Sequence, residues 1–236
     1  MIYVELPKTG RRRELSFYLA MEEYVARRMD AAECFFMWQV EASVIFGRNQ
    51  SLENEVNSDY CRRHGIRMYR RKSGGGCVYA DLGNVMLSYV TDEENVGFAF
   101  NRFMNMVLLV LRRMGVEAVG TSHNDVLIGD RKVSGTACYH VEGRNIVHGT
   151  LLYDTDMEHM VNAITPSREK LASKGVQSVR QRITLLKDHV ALSLEEVKGL
   201  IRRTLCDGQH LLGDDDVAAI ERIEQGYLDR EFIHRL

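Results

Sequence analysis

The sequence predicts an α/β (α+β) domain, with a mixed β-sheet and flanking helices. Three observations carry that expectation. Apolar stripes of helical period recur along the chain, and runs of β-branched and aromatic residues lie between them. With 236 residues, two prolines, no repeat and no low-complexity linker, nothing marks an internal boundary. One domain over residues 1–236 is expected, its C-terminal part (about 190–236) helical.

Leu15, Tyr18, Leu19, Glu22, Val25, Ala26 and Met29 share one helical face. Glu22 falls inside that apolar stripe, where a carboxylate reaches water at the edge or finds a partner inside. Phe35 to Phe46 suits a pair of strands. Phe100, Phe103, Met104, Val107, Leu108, Leu111 and Met114 form a core stripe ended by Gly115. Strands are expected at Val85–Val90, Val126–Ile128, Lys132–Cys138 and Ile146–Tyr153. Met157, Met160, Val161 and Ile164 read as a helix capped by Asp154 or Asp156 and halted before Pro166. Ser193-Leu194-Glu195-Glu196 is a capping box opening another helix, and a last one spans about Asp215 to Gln225.

Composition excludes several classes. Hydrophobic content of 45% and charged content of 27% are ordinary for a soluble globular chain. The longest wholly apolar run, Met106 to Leu111, is too short for a bilayer, and the start lacks a signal-peptide pattern. Cys34, Cys61, Cys77, Cys138 and Cys206 form no CxxC pair, so neither a zinc site nor a disulfide framework is expected, and a reducing, cytoplasmic setting fits. A net charge of −2 argues against general nucleic-acid binding.

The densest signal is Arg70-Arg71-Lys72-Ser73-Gly74-Gly75-Gly76-Cys77-Val78-Tyr79. Consecutive glycines let a backbone approach a ligand closely, and three preceding cations suggest an anionic one, with a basic hairpin tip as the bland alternative. Neither GxxxxGK[ST] nor GxGxxG is present. Further on, Gly129-Asp130 reads as a two-residue hairpin turn. That register pairs Ile128 with Arg131, Leu127 with Lys132, Val126 with Val133 and Asp125 with Ser134. Asp125 and Lys132 become diagonal neighbours on one face, so the carboxylate can hold and aim the ammonium. Exposed hairpins also carry lysines merely for solubility.

The glycine stretch and the following Ala80-Asp81-Leu82-Gly83-Asn84 resemble the lipoate–protein ligase A family. So do Leu19-Ala20-Met21-Glu22-Glu23, Met37-Trp38-Gln39, Ile45-Phe46-Gly47-Arg48-Asn49-Gln50, Asn124-Asp125 and Asp130-Arg131-Lys132-Val133-Ser134-Gly135. His148-Gly149-Thr150-Leu151-Leu152 and the stretch from Lys174-Gly175 to Arg182 complete the set. The resemblance implies a biotinyl/lipoyl protein ligase-like catalytic domain that activates lipoate with Mg-ATP to lipoyl-AMP. The lipoyl group then passes to a lysine of lipoyl domains of 2-oxoacid dehydrogenase complexes or of the glycine cleavage H protein.

On this resemblance Lys132 is catalytic. Arg70, Ser73, Gly74, Gly75, Gly76, Cys77, Val78, Asn84, Asn124, Asp125, His148 and Arg180 bind the nucleotide and adenylate. Glu22, Trp38, Ser134 and Gly135 form the acyl pocket, and Asp125 contacts Mg2+ through the adenylate. The segment from Arg168 to Arg182 is expected to order over the bound adenylate. Two departures keep alternatives open. The chain stops at Ile233-His234-Arg235-Leu236, about where longer members begin an accessory domain, so no accessory domain is expected and a separate accessory chain is a possible partner. Cys77 stands where the family often has alanine, which leaves an octanoyl or lipoyl transferase, dependent on lipoyl-AMP or on a cysteine thioester, as the alternative. Biotin ligation and a non-catalytic carrier-binding module are weaker alternatives, the latter because it would not need Lys132.

Overall fold

The computed structural model describes residues 1–122, 124–165 and 182–234. In chain order the elements begin with β1 (Ile2–Glu5), α1 (Leu15–Arg28), β2 (Glu33–Trp38), β3 (Ser43–Phe46), α2 (Leu52–Glu55) and α3 (Ser58–Arg63). Next come β4 (Arg67–Arg70), β5 (Val78–Ala80), β6 (Asn84–Thr91), α4 (Val96–Arg113), β7 (Val119–Gly120), β8 (Asp125–Ile128), β9 (Arg131–Val141) and β10 (Arg144–Leu152). The chain closes with α5 (Met157–Ala163), a 3-10 turn at Leu186–Asp188, α6 (Leu194–Leu205), β11 (Gly208–Leu211), α7 (Asp214–Leu228) and α8 (Arg230–His234). No helix among the described residues is long and apolar enough to cross a membrane.

The strands make a mixed sheet of eight, in the order β11-β1-β2-β6-β10-β9-β8-β7, and a smaller one of three, β4-β3-β5. Strand β6 is buried along its whole length because it is covered on both faces. Val85, Leu87 and Tyr89 meet Phe103, Val107 and Leu111 of α4 on one side. Met86 and Val90 meet Leu19, Val25 and Ala26 of α1 on the other. That is the alternation of a strand between two helical layers, and it explains the near-continuous apolar run Val85–Val90. Helix α7 backs α1 through Val217, Ile220 and Tyr227. The small sheet has its own core of Val44, Phe46, Cys61, Tyr79, Met160 and Ala163.

Several terminators work as the sequence implies. Asn95 Oδ1 accepts the Phe98 amide at 3.1 Å, which opens α4 one turn earlier than the apolar stripe indicates. Gly115, at φ +79°, closes it. Asp156, not Asp154, caps α5 by accepting the His159 amide at 2.9 Å. Ser193 and Glu196 exchange both bonds of the capping box.

Three expectations change. The strands within Phe35–Phe46 do not pair with each other: β2 lies between β1 and β6, while β3 crosses to the small sheet between β4 and β5. The C-terminal part is not wholly helical, because β11 runs parallel to β1 and extends the large sheet. The β8–β9 register holds at Ile128–Arg131 and Leu127–Lys132, then slips at a bulge, so that Val126 faces Ser134 and Asp125 faces Gly135.

Candidate active site

A cleft of about 230 Å3 lies where the two sheets meet. Leu19, Trp38, Ile45, Val78, Met86 and Ala137 give it an apolar lining. Asn124, Asp125, Lys132, His148, Thr150 and Arg182 supply the polar groups, and Gly75, Gly76, Cys77, Gly135 and Gly149 bring backbone to its surface.

The hairpin bulge decides how Lys132 enters this cleft. Its Nζ lies 2.8 Å from Asp125 Oδ1. It gets there by folding along its own strand across Gly135, where a Cβ would stand 2.3 Å from Nζ and 2.6 Å from Cε. Asp125 Oδ2 takes the Arg182 guanidinium. Burial alone would raise the Asp125 carboxyl, but Lys132 and Arg182 outweigh it and hold it below its ordinary value. One ionised carboxylate between two cations leaves a local excess of positive charge in the cleft.

Each Asp125 oxygen faces a cation, Lys132 on Oδ1 and Arg182 on Oδ2. No group of three or more His, Cys, Asp or Glu among the described residues could hold a metal ion.

The glycine loop departs from the reading of a cationic phosphate surface. Arg70 is buried and donates to the carbonyls of Gly47, Arg48 and Gln50 at 3.3, 2.9 and 2.8 Å. Arg71, also buried, gives Nη2 to Gly74 O and Gly76 O at 2.6 and 2.8 Å and Nη1 to Ile45 O at 3.2 Å. Burial lowers the Arg71 pKa to about 10, which leaves it charged near neutrality. Lys72 pairs with Glu23. Arg71 therefore holds the loop from within by taking its carbonyls, while Arg70 and Lys72 spend their charge on carbonyls and a carboxylate outside it. Gly47 makes room for that fold, since a Cβ there would meet Gly75 O at 2.4 Å.

A buried polar chain links the apolar lining to this loop. Trp38 Nε1 donates to Ser88 Oγ at 2.9 Å, and Ser88 Oγ donates to Glu22 Oε1 at 2.6 Å. His148 Nδ1 lies 2.8 Å from Glu22 Oε2, and its Nε2 lies 2.7 Å from Ser73 Oγ. Arg71 Nε donates to Ser73 Oγ at 2.9 Å. Because Ser73 Oγ already accepts from Arg71, its own hydrogen fits His148 Nε2. A ring proton then sits on Nδ1, towards Glu22. Both ring nitrogens are engaged.

Of the residues proposed from sequence, the cleft is lined by Lys132, Gly75, Gly76, Cys77, Val78, Asn124, Asp125, His148, Trp38 and Gly135. Ser73 and Glu22 are fully buried and reach the cleft through His148, and also through Arg71 and through Ser88 and Trp38 respectively. Arg70 and Gly74 border a separate groove beside the loop. Asn84 is buried with its amide on Tyr79 O at 3.1 Å, and Ser134 is buried off the cleft, because the bulge turns it inward beside Val126. Arg180 and the rest of the expected covering segment up to residue 181 lie outside the described residues. Sequence reasoning missed Arg71 as a lining residue and Arg182 as the second cation on Asp125. Both stood inside recognised motifs, but nothing local says which cation of a run turns inward.

The Lipoyl protein ligase A/B catalytic domain model matches residues 14–206. The lipoate–protein ligase LplJ of Bacillus subtilis (strain 168) is 33% identical over 222 residues, covering 92% of this chain and 65% of the relative. Lipoate–protein ligase 1 of Staphylococcus aureus (strain Mu50) is 37% identical over 213 residues, covering 87% of this chain and 65% of that relative. The chain thus spans about two thirds of the length of these curated relatives. A chain from the structure of a bi-partite lipoate–protein ligase and its E2 lipoyl domain from Thermoplasma acidophilum superposes with a TM-score of 0.84 at 25% identity, covering 99% of this chain and 95% of that one. Fold, motif order and family match agree: this chain belongs to the lipoyl protein ligase A/B catalytic-domain family.

Proposed function

We propose that the chain is a lipoate–protein ligase that activates lipoate with Mg-ATP and transfers the lipoyl group to a lysine of an acceptor lipoyl domain. The single observation that carries this reading is the Lys132–Asp125–Arg182 cluster in a cleft whose remaining lining includes an apolar set of Leu19, Trp38, Ile45, Val78 and Met86. A fatty or dithiolane chain suits Trp38, Leu19, Ile45 and Met86, while its carboxylate suits the positive cluster.

In the first step a carboxylate oxygen attacks the α-phosphorus of ATP, and pyrophosphate leaves. In the second the acceptor amine attacks the acyl carbon, and AMP leaves. Negative charge gathers on oxygens both times, and Lys132, fixed and charged, lies where it can stabilise it. The carbonyls of Gly74 and Gly76 are turned to Arg71, which leaves backbone amides of the loop for phosphate oxygens. Magnesium enters with the nucleotide, and Asp125 would contact it through the adenylate. The names of the curated relatives and the E2 lipoyl domain studied with the Thermoplasma ligase support a lipoyl-domain acceptor, of a 2-oxoacid dehydrogenase complex or a glycine cleavage H protein. The Thermoplasma ligase is described as bi-partite, which supports a separate accessory chain as a further candidate partner.

The test uses three mixtures with a lipoyl-domain acceptor: lipoate with Mg-ATP, preformed lipoyl-AMP, and octanoyl-acyl carrier protein without ATP. Modification in the first two supports the ligase. Modification with lipoyl-AMP alone restricts the chain to transfer, and modification in the third alone overturns the reading.

A further inference from the structure

Lys72 stands directly before Ser73 and the three glycines, yet its side chain leaves the loop for the C-terminal helices. Its Nζ lies 2.5 Å from Glu23 Oε1 and 4.6 Å from the Tyr227 ring centroid. The Tyr227 hydroxyl donates to the same Glu23 oxygen, and Arg27 Nη2 holds the other at 3.3 Å. Tyr139 OH stands 3.5 Å from Tyr227 OH. Two residues before Lys72, on the far side of Arg71, Arg70 Nε donates to Ile233 O of α8 at 3.1 Å. The Glu23 side chain is only 3% exposed. A carboxylate buried to that degree relies on those partners to offset its lost hydration.

We propose that Glu23 and Tyr227 are positioning residues for the glycine loop, fastening it through Lys72 to helix α7. Neither residue lines the cleft, and α7 and α8 lie beyond residue 206, where the family match ends. Three glycines in a row have the most backbone freedom to lose, so a single loop conformation needs anchors on both sides. Arg71 anchors it from the cleft, and Lys72 with Arg70 from the C-terminal helices. The catalytic consequence rests on the ligase reading above: a loop that wanders presents its amides less effectively to phosphate.

Glu23→Gln keeps an acceptor for Tyr227 and removes the charge that holds Lys72. In hydrogen exchange of the full chain, amides of Arg70–Tyr79 should exchange about tenfold faster, the factor expected for one charge-assisted bond. Peptides from β6 and β10 should not change. In ligation, KM for ATP should rise by a similar roughly tenfold factor while KM for the acceptor domain holds. Tyr227→Phe, which keeps the ring over Lys72, should show the same pattern more weakly and serves if Glu23→Gln does not fold. Unchanged loop exchange in either folded variant overturns the proposal, as does faster exchange spread evenly over the sheet. The exchange measurement needs no turnover. A wild-type chain without ligase activity would therefore sink the ligase reading while leaving the anchoring to be decided.

Discussion

The ammonium of Lys132 occupies the space that a side chain on Gly135 would need, with Nζ 2.3 Å from the position of a Cβ there. Gly135 faces Asp125 across the hairpin, so the missing side chain lets the lysine lie between its own strand and the carboxylate. The bulge makes this three-residue reach possible. Without it Ser134 would face Asp125.

Gly135→Ala should therefore separate folding from function. The atom in the way is the end of a flexible chain, so stability should change by no more than about 1 kcal/mol in urea unfolding. A lysine displaced by about an ångström should lower acceptor modification on the order of 100-fold. A normal rate in the alanine variant would remove the glycine from the argument.

Lys132→Ala should abolish modification while the protein stays folded. Arg182 remains on Asp125, so the carboxylate is not stranded. Circular dichroism checks the fold, and intact-mass analysis of the acceptor checks the reaction. Appreciable lipoylation by the folded variant would show that Lys132 is dispensable.

Asp125 predicts a pH dependence. Its folded pKa lies below the ordinary value, so its contribution is fully present above the unfolded carboxylate pKa of about 3.9. That contribution should be lost as pH falls from there through the folded pKa. The stability gap between wild type and Asp125→Asn should be constant above about pH 5 and should close at lower pH. A gap that widens on acidification would contradict the cluster.

Glu22→Gln should cost about 2 kcal/mol, because Ser88 and the His148 ring both donate to the carboxylate and an amide nitrogen would have to face one of them. Denaturant midpoints measure this. No destabilisation would mean that the ring has flipped its tautomer without penalty.

Cys77→Ala should keep most activity if an adenylate carries the acyl group. Cys77 lines the cleft, so the thioester alternative makes the opposite prediction: loss of turnover, and an acyl adduct on the wild-type protein. Mass spectrometry after incubation with acyl donor decides between them.

Period and punctuation in the sequence are enough for the elements built on local rules. The stripes of α1 and α4, the stop at Gly115 and the Ser193 capping box are consequences of side-chain spacing and backbone bonding within a few residues. The residues lining the cleft were also largely legible, because Lys132, Asp125, Asn124, His148, Trp38 and the glycines sit in motifs of fixed wording. Pairing between distant strands was not. Nothing within Phe35–Phe46 says that β2 and β3 enter different sheets, and Gly208–Leu211 becomes a strand only because β1 offers it an edge. The direction of the cations was also decided by tertiary structure. Arg70, Arg71 and Lys72 read alike in the chain, yet their targets are carbonyls and a carboxylate supplied by β3, α1, α8 and the glycine loop. A buried charge goes where partners from distant segments converge, and that convergence exists only in the folded chain.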